Sequence, residues 1–188
     1  LVDTLSITLI GNDGDNVLVG NATADTITGG AGADTITGGA GADTFLFDST
    51  TGTDIITDFS TAADVMNFAR TTFALESADA DLADANERVT IATAAGTDNN
   101  GAKNTANDLI IMTHTTGHTL ASLVNDLDGA TAAGDALIVY FDSGTSLTTL
   151  AYDNNLEDAT AAVAVATFSN ITAANISASL TTADFVLI

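Results

Sequence analysis

The sequence predicts a mainly all-β protein, in which an N-terminal parallel β-roll is followed by a β-sandwich-like C-terminal domain with one or two short helices. The first observation behind this prediction is a run of four glycine-rich units, each nine residues long, near the N-terminus. Repeats of this kind stack into solenoids. The second is a series of short apolar runs separated by turn residues in the rest of the chain, which is typical of β-strands. We therefore expect two domains, residues 1–68 and residues 69–188.

Aligning the tandem units on glycine shows what each position contributes. The units begin at Gly11, Gly20, Gly29 and Gly38, their sixth positions are Asn16, Asp25, Asp34 and Asp43, and their eighth positions are Leu18, Ile27, Ile36 and Phe45. The shared pattern is G-G-x-G-x-D-x-U-x, which is that of a calcium-binding parallel β-roll. The last three positions predict a short strand whose eighth residue points into the core. Two units form one turn, so unit one should lie on unit three and unit two on unit four.

The six-residue loops of these units have the chemistry of a calcium site. Glycine allows backbone carbonyls to approach an ion, and aspartate adds the hard oxygen ligands that Ca²⁺ prefers. The third and fourth units match the pattern fully, whereas Asn16 and Thr23 depart from it, so we expect weaker sites in the first two units. We predict several Ca²⁺ ions, with ligands drawn from Gly11, Asp13, Asp15, Asn16, Asp25, Gly29, Ala31, Ala33, Asp34, Gly38, Ala40, Ala42, Asp43, Asp54 and Asp58.

A degenerate turn follows the fourth unit. It contains Asp54-Ile-Ile-Thr-Asp58-Phe59, and its spacing exceeds the nine-residue period by about two residues. We interpret this segment as the closure of the roll, with Asp54 and Asp58 completing the last ions.

Residues 11–68, with their repeats and this closing element, resemble the RTX (repeats-in-toxin) family. The resemblance implies export in an unfolded state by type I secretion machinery and folding on extracellular calcium. Family members include proteases, lipases, toxins, adhesins and surface-layer proteins, so the repeat alone does not specify an activity. The tail, residues 170–188, resembles a type I secretion signal, and it fits a final core strand equally well.

The composition excludes several classes of partner. The chain has 25 acidic and 3 basic side chains, which give a net charge of −22. Nucleic acid is bound through many Lys and Arg residues, and an anionic membrane surface also attracts basic segments. We therefore expect no nucleic-acid partner and no membrane insertion, since no apolar run approaches the length of a membrane span. A surface this acidic opposes compaction unless cations bind to it.

The rest of the chain predicts more strand than helix. Strands are expected at residues 88–92, 109–113, 161–168 and 185–188, and a hairpin is expected from residues 136–142 and 147–152 around Ser143-Gly144-Thr145. Apolar residues at helical spacing predict helices at residues 75–85 and 119–128.

The candidate catalytic residues do not form a recognisable constellation, and we predict that the protein is not an enzyme. His114 and His118 are the only 2 histidines. The Thr-Thr-Gly between them favours a loop, and the glutamate of the zinc-protease motif is missing. Ser143-Gly144 lacks the nucleophile-elbow pattern of hydrolases.

Three functions remain open at this point. The first is a structural protein that self-assembles outside the cell or at a bacterial cell surface, as a layer, filament or adhesin. The opening strand Leu5-x-Ile7-x-Leu9 favours it, because no earlier repeat covers that end of the solenoid. The second is the calcium-folding export module of a larger secreted enzyme or toxin, with its catalytic domain upstream of Leu1. The third, a free-standing hydrolase, requires a triad that we do not find.

Overall fold

The computed structural model describes residues 5–73, 88–91, 109–112, 136–154, 162–172, 176, 180 and 182–188. These residues confirm a nearly all-β fold with an N-terminal parallel solenoid. They form thirteen strands and a short 3₁₀ turn, Thr182–Asp184. The helices expected at residues 75–85 and 119–128, and the histidines His114 and His118, lie outside the described residues.

The roll consists of seven short strands that alternate between two sheets. They are β1 (Thr8–Ile10), β2 (Val17–Val19), β3 (Thr26–Thr28), β4 (Thr35–Thr37), β5 (Thr44–Phe47), β6 (Asp54–Ile56) and β7 (Val65–Phe68). Strand β2 pairs with β4, and β3 pairs with β5, in both cases parallel. This register confirms that unit one lies on unit three and unit two on unit four.

Six further strands confirm the strands and the hairpin that the second half of the sequence predicts. They are β8 (Arg88–Ile91), β9 (Leu109–Met112), β10 (Ala136–Asp142), β11 (Leu147–Asp153), β12 (Val163–Phe168) and β13 (Phe185–Leu187). Strands β10 and β11 form the antiparallel hairpin, and β11 pairs with β12 in the same way. Strands β8, β9 and β10 are parallel neighbours.

The C-terminal strands extend the two sheets of the roll. Strand β13 pairs with β7, and β12 pairs with β6, again in parallel. The result is a five-stranded sheet, β1-β3-β5-β7-β13, and an eight-stranded sheet, β2-β4-β6-β12-β11-β10-β9-β8. The described residues therefore do not confirm the β-sandwich that we expected for the C-terminal part.

The core runs along the axis of the roll. The eighth-position residues Ile27, Ile36 and Phe45 are buried, as predicted, and Leu18 packs against them. Aromatic contacts extend the core to the C-terminal strands. The ring centroid of Phe59 lies 5.8 Å from that of Phe45 and 5.6 Å from that of Phe168. Each such side chain contributes about 1.5–3 kcal/mol by leaving water. The final strand is part of this core, since Phe185 and Leu187 are fully buried.

Candidate metal centre

The sixth-position residues of units one and three stack directly in the folded roll. The N–H of Asn16 donates to Oδ1 of Asp34 at 2.8 Å, and the N–H of Asp34 donates to Oδ1 of Asp54 at 3.0 Å. We call this series the first ladder. The first ladder places Asp54 at the sixth position of the turn that closes the roll. It therefore lies beside the loops whose calcium ions the sequence predicts it to complete.

Units two and four form an equivalent second ladder. The N–H of Ile7 donates to Oδ1 of Asp25 at 2.9 Å, and the N–H of Asp25 donates to Oδ1 of Asp43 at 2.9 Å. The N–H of Asp43 donates in turn to Oδ1 of Asp64 at 2.9 Å. Asp25, Asp43 and Asp64 are all buried. The ladders thus hold carboxylates along both sides of the roll.

Asp64 is a ladder residue that our prediction omitted, and Asp58 lies beside the fourth loop. Both oxygens of Asp58 accept backbone N–H groups, from Gly38 and Gly39, each at 2.8 Å. Asp64 stands directly before β7, whose second residue Met66 is fully buried. That order, an aspartate two residues before an inward side chain, is the order of the repeat itself and could have identified it.

One oxygen of each carboxylate in the two perfect units has no hydrogen-bond partner. Within the described part of the chain, Oδ2 of Asp34 and Oδ2 of Asp43 are the buried side-chain polar atoms without one. Burying a charged oxygen without compensation is strongly unfavourable. A hard divalent cation would compensate it, because carboxylate and carbonyl oxygens are the ligands of Ca²⁺. The residues present therefore fit calcium.

Stacked loops approach so closely that their backbones touch. A Cβ on Gly30 would lie 2.7 Å from the carbonyl oxygen of Asn12, and a Cβ on Gly32 would lie 2.8 Å from the carbonyl carbon of Gly14. Both Gly30 and Gly32 have positive φ, 96° and 104°, which only glycine adopts readily. The glycines thus bring the carbonyl groups of one loop against the next loop, beside the ladders.

The repeats can be compared with known families once this geometry is clear. The RTX calcium-binding nonapeptide repeat matches residues 10–45, with 4 copies. The N-terminal part of the chain is an RTX β-roll. Such repeats bind several Ca²⁺ ions, and proteins that carry them are typically secreted. Repeats of this family are typically structural, calcium-binding elements rather than catalytic ones. No curated protein matches the chain.

Burial and mutual repulsion act on the carboxylates of the RTX roll in the absence of an ion. Burial is the main cause that raises the pKa of Asp54 to about 7, and the charges of Asp34 and Asp48 raise it further, against a hydrogen bond from the Asp34 N–H. Burial also raises the pKa of Asp43 and Asp64, with neighbouring carboxylates adding to the effect. A bound cation would relieve both causes.

Asp25 differs from the other ladder carboxylates. Burial acts to raise its pKa, but hydrogen bonds from the N–H groups of Asn21 and Ile7 and from the Thr23 hydroxyl outweigh that effect and lower the pKa. This carboxylate is stabilised as an anion by the protein itself.

Among the remaining predicted ligands, Gly29 and Gly38 are buried, whereas several others are exposed residues of the loops. Asp13 is exposed, and Oδ1 of Asp15 accepts the N–H of Ala33 at 2.8 Å. Ala40 and Ala42 are exposed loop residues. No three acidic or histidine side chains converge on a metal site anywhere in the described ranges. An ion held here would therefore depend on backbone oxygens together with a ladder carboxylate.

The described part of the chain also contains no helix that is long and apolar enough to cross a membrane.

Proposed function

We propose that this protein is an extracellular structural protein whose RTX roll folds on meeting calcium and which then self-assembles, as a surface layer, filament or adhesin. The observation that carries the proposal is the pair of buried oxygens without partners, Oδ2 of Asp34 and Oδ2 of Asp43. A counter-ion at these atoms would stabilise the folded roll, since unpaired buried charge is costly. Folding and calcium binding are therefore linked.

The concentration of calcium then decides where the chain folds. Extracellular calcium modules have dissociation constants of about 10⁻⁴–10⁻³ M. In a calcium-poor cytoplasm the ladder carboxylates repel one another and the roll stays open, as export by type I secretion machinery requires. At millimolar calcium each ion stabilises the fold by RT ln(1 + [L]/Kd), about 1 kcal/mol at modest saturation. A solenoid turn is stable only against its neighbours, so several ions act cooperatively.

Within the predicted ligand set, we assign the carboxylate contribution to Asp34 and Asp43, with the nearby backbone carbonyls completing each site. We retain the division at residue 68, with the calcium-dependent roll before it and strands that extend the roll after it. The tail from about residue 170 would act as a secretion signal before folding and as strand β13 afterwards.

Self-assembly is supported by exposed apolar side chains at the end of the roll that β1 and β2 form. Four side chains there are largely exposed, and we call them the first-turn surface: Leu5 (70%), Ile10 (73%), Val17 (76%) and Val19 (59%). In the next turn, the register partners of Ile10, Val17 and Val19 are threonines. Ile10, Val17 and Val19 belong to β1 and β2, which are edge strands of their sheets within the described residues. An exposed edge with apolar neighbours is a template for another chain, and we propose a second copy as the occupant.

The calcium arm of the proposal is tested by circular dichroism. Removing calcium with EGTA should weaken the β-signal of the roll and lower its melting temperature, and adding calcium back should restore both. Spectra that do not respond to calcium would contradict the proposal as a whole.

The assembly arm is tested by sedimentation velocity and electron microscopy in calcium. We expect large assemblies, which the Val17→Thr/Val19→Thr variant should weaken because it places the threonines of β4 on β2. The control is Ile55→Thr, which changes an exposed residue of the interior strand β6. A protein that folds with calcium but remains monomeric at high concentration would favour the alternative, a calcium-folding export module of a larger secreted enzyme or toxin.

A further inference from the structure

We infer that Asn12 and Asn21 take the place of calcium in the first turn of the roll, so that loops 11–16 and 20–25 close without an ion. This inference rests on the calcium sites proposed above for Asp34 and Asp43. It concerns the second position of the repeat, where the first two units have asparagine and the last two have glycine.

The backbone N–H of each asparagine satisfies the sixth-position side chain of its own loop. The N–H of Asn12 donates to Oδ1 of Asn16 at 2.8 Å, and the N–H of Asn21 donates to Oδ2 of Asp25 at 2.7 Å. In both cases the side-chain oxygen across the loop has a donor that belongs to the protein. A metal ion is not needed to compensate it.

The side chains of both asparagines also form hydrogen bonds within the same loops. Oδ1 of Asn12 accepts the N–H of Gly14 at 2.9 Å, and Oδ1 of Asn21 accepts the N–H of Thr23 at 2.8 Å. The Thr23 hydroxyl also donates to Oδ1 of Asn21, at 2.8 Å. Hydrogen bonds from an Asn side chain to the backbone two residues later form a stable turn by themselves. Thr23, which we expected only to weaken a calcium site, therefore contributes to this closure.

The glycine loops of units three and four differ at the same atoms. Gly30 and Gly39 have φ of 96° and 101°, whereas neither asparagine has a positive φ. The N–H of Gly39 donates to Oδ2 of Asp58, outside its own loop. The carboxylates of these loops keep one buried oxygen without a partner. With its positive φ, glycine at the second position does not direct its N–H to this oxygen, which is left for the ion. Asparagine, without a positive φ, directs its N–H to the sixth-position side chain of its own loop.

Asp25 shows that the difference between the loops does not depend on whether the sixth residue is an aspartate or an asparagine. Like Asp34 and Asp43 it is an aspartate, yet both of its oxygens accept backbone N–H groups, Oδ1 from Ile7 and Oδ2 from Asn21. The first turn then acts as a cap that orders without metal, and the ions bind deeper in the roll.

The test converts the second unit into a copy of the third. The double variant Asn21→Gly/Thr23→Gly changes its loop to Gly-Gly-Ala-Gly-Ala-Asp. Isothermal titration calorimetry should then detect about one more Ca²⁺ ion per chain than in the unaltered protein. Circular dichroism in EGTA should show a lower melting temperature, because the Asn hydrogen bonds are lost. An unchanged ion count in the folded variant would overturn the inference.

Two single variants of the full chain give an independent comparison. Asp25→Asn should keep the ion count of the unaltered protein, whereas Asp43→Asn should lose about one ion. If both variants lose an ion, the inference is wrong while the calcium sites stand. If Asp43→Asn keeps every ion, the proposed site at Asp43 fails, and the inference fails with it. Should Asp25→Asn not fold in calcium, the double variant decides by its own count.

Discussion

The N–H of Asp43 donates to Oδ1 of Asp64 at 2.9 Å, across 21 residues of sequence. Asp64 therefore ends the second ladder, and its other oxygen accepts the N–H of Ser60 at 2.8 Å. One buried side chain links the fourth repeat loop to the segment that closes the roll.

We expect Asp64→Ala to destabilise the folded protein in calcium. The change leaves the N–H of Asp43 buried without an acceptor and removes the bond to Ser60, which together should cost about 2–4 kcal/mol of unfolding free energy. Urea unfolding followed by circular dichroism measures the effect. The control is Asp48→Ala, an exposed aspartate nearby. Equal losses of unfolding free energy in the two variants would show that the hydrogen bonds of Asp64 do not stabilise the roll.

The variant Asp34→Asn should shift stability in opposite directions with and without calcium. In EGTA it removes a buried charge that has no partner on Oδ2, so the melting temperature should rise. In saturating calcium it removes the charge of a ligand, so the melting temperature should fall. The unfolding free energy should fall by about 1–3 kcal/mol. Differential scanning calorimetry in the two buffers provides the comparison. A shift of the same sign in both would contradict the assignment of Asp34 as a ligand.

In calcium-free buffer, the roll should gain stability as the pH falls from about 8 to about 5. Burial raises the pKa of Asp54 to about 7 and also raises the pKa of Asp43 and Asp64. A carboxyl whose pKa is raised by folding stabilises the fold below its unfolded pKa, and this contribution is lost as the pH rises through the folded value. Asp25, whose pKa is lowered, acts against this trend only in more acidic solution.

Thermal unfolding in EGTA at a series of pH values measures this dependence. The variant Asp54→Asn should flatten the part of the curve near pH 7, because it removes the group that titrates there. Saturating calcium should flatten it as well, since the ion takes the place of the proton. Stability in EGTA that falls steadily from pH 8 to pH 5 would refute the prediction.

The repeat pattern predicted the parts of the fold that follow a fixed local period. Ile27, Ile36 and Phe45 are buried because the eighth position of each unit points inward. Beyond the fourth unit the period fails, because successive ladder residues are 18 positions apart within the repeats but 20 or 21 apart at the closure. The longer spacing is why the nine-residue period alone does not identify Asp64.

Contacts between distant segments could not be predicted in the same way. The pairing of β12 with β6 joins residues more than 110 positions apart, such as Phe168 and Ile56. Nothing in the alternation of Val163–Phe168 indicates which strand it will join. Likewise, the effect of Asn21 on Asp25 depends on the direction of one N–H group, and a sequence pattern does not specify that direction.

The difference between Gly39 and Gly14 gives a final, matched test of the loop geometry. Gly39 has φ of 101°, and a Cβ added there would overlap the carbonyl oxygen of Asn21 in the stacked loop. Gly39→Ala should therefore cost about 1–3 kcal/mol of unfolding free energy, from backbone strain and from separation of the two loops. At Gly14 the nearest atom to an added Cβ is Oδ1 of Asn12, at an ordinary 3.4 Å, and φ is not positive. Gly14→Ala should therefore change stability by less than about 0.5 kcal/mol, as for an unconstrained surface site. Urea unfolding in calcium compares the two variants, and equal effects would mean that the loops do not stack as closely as described.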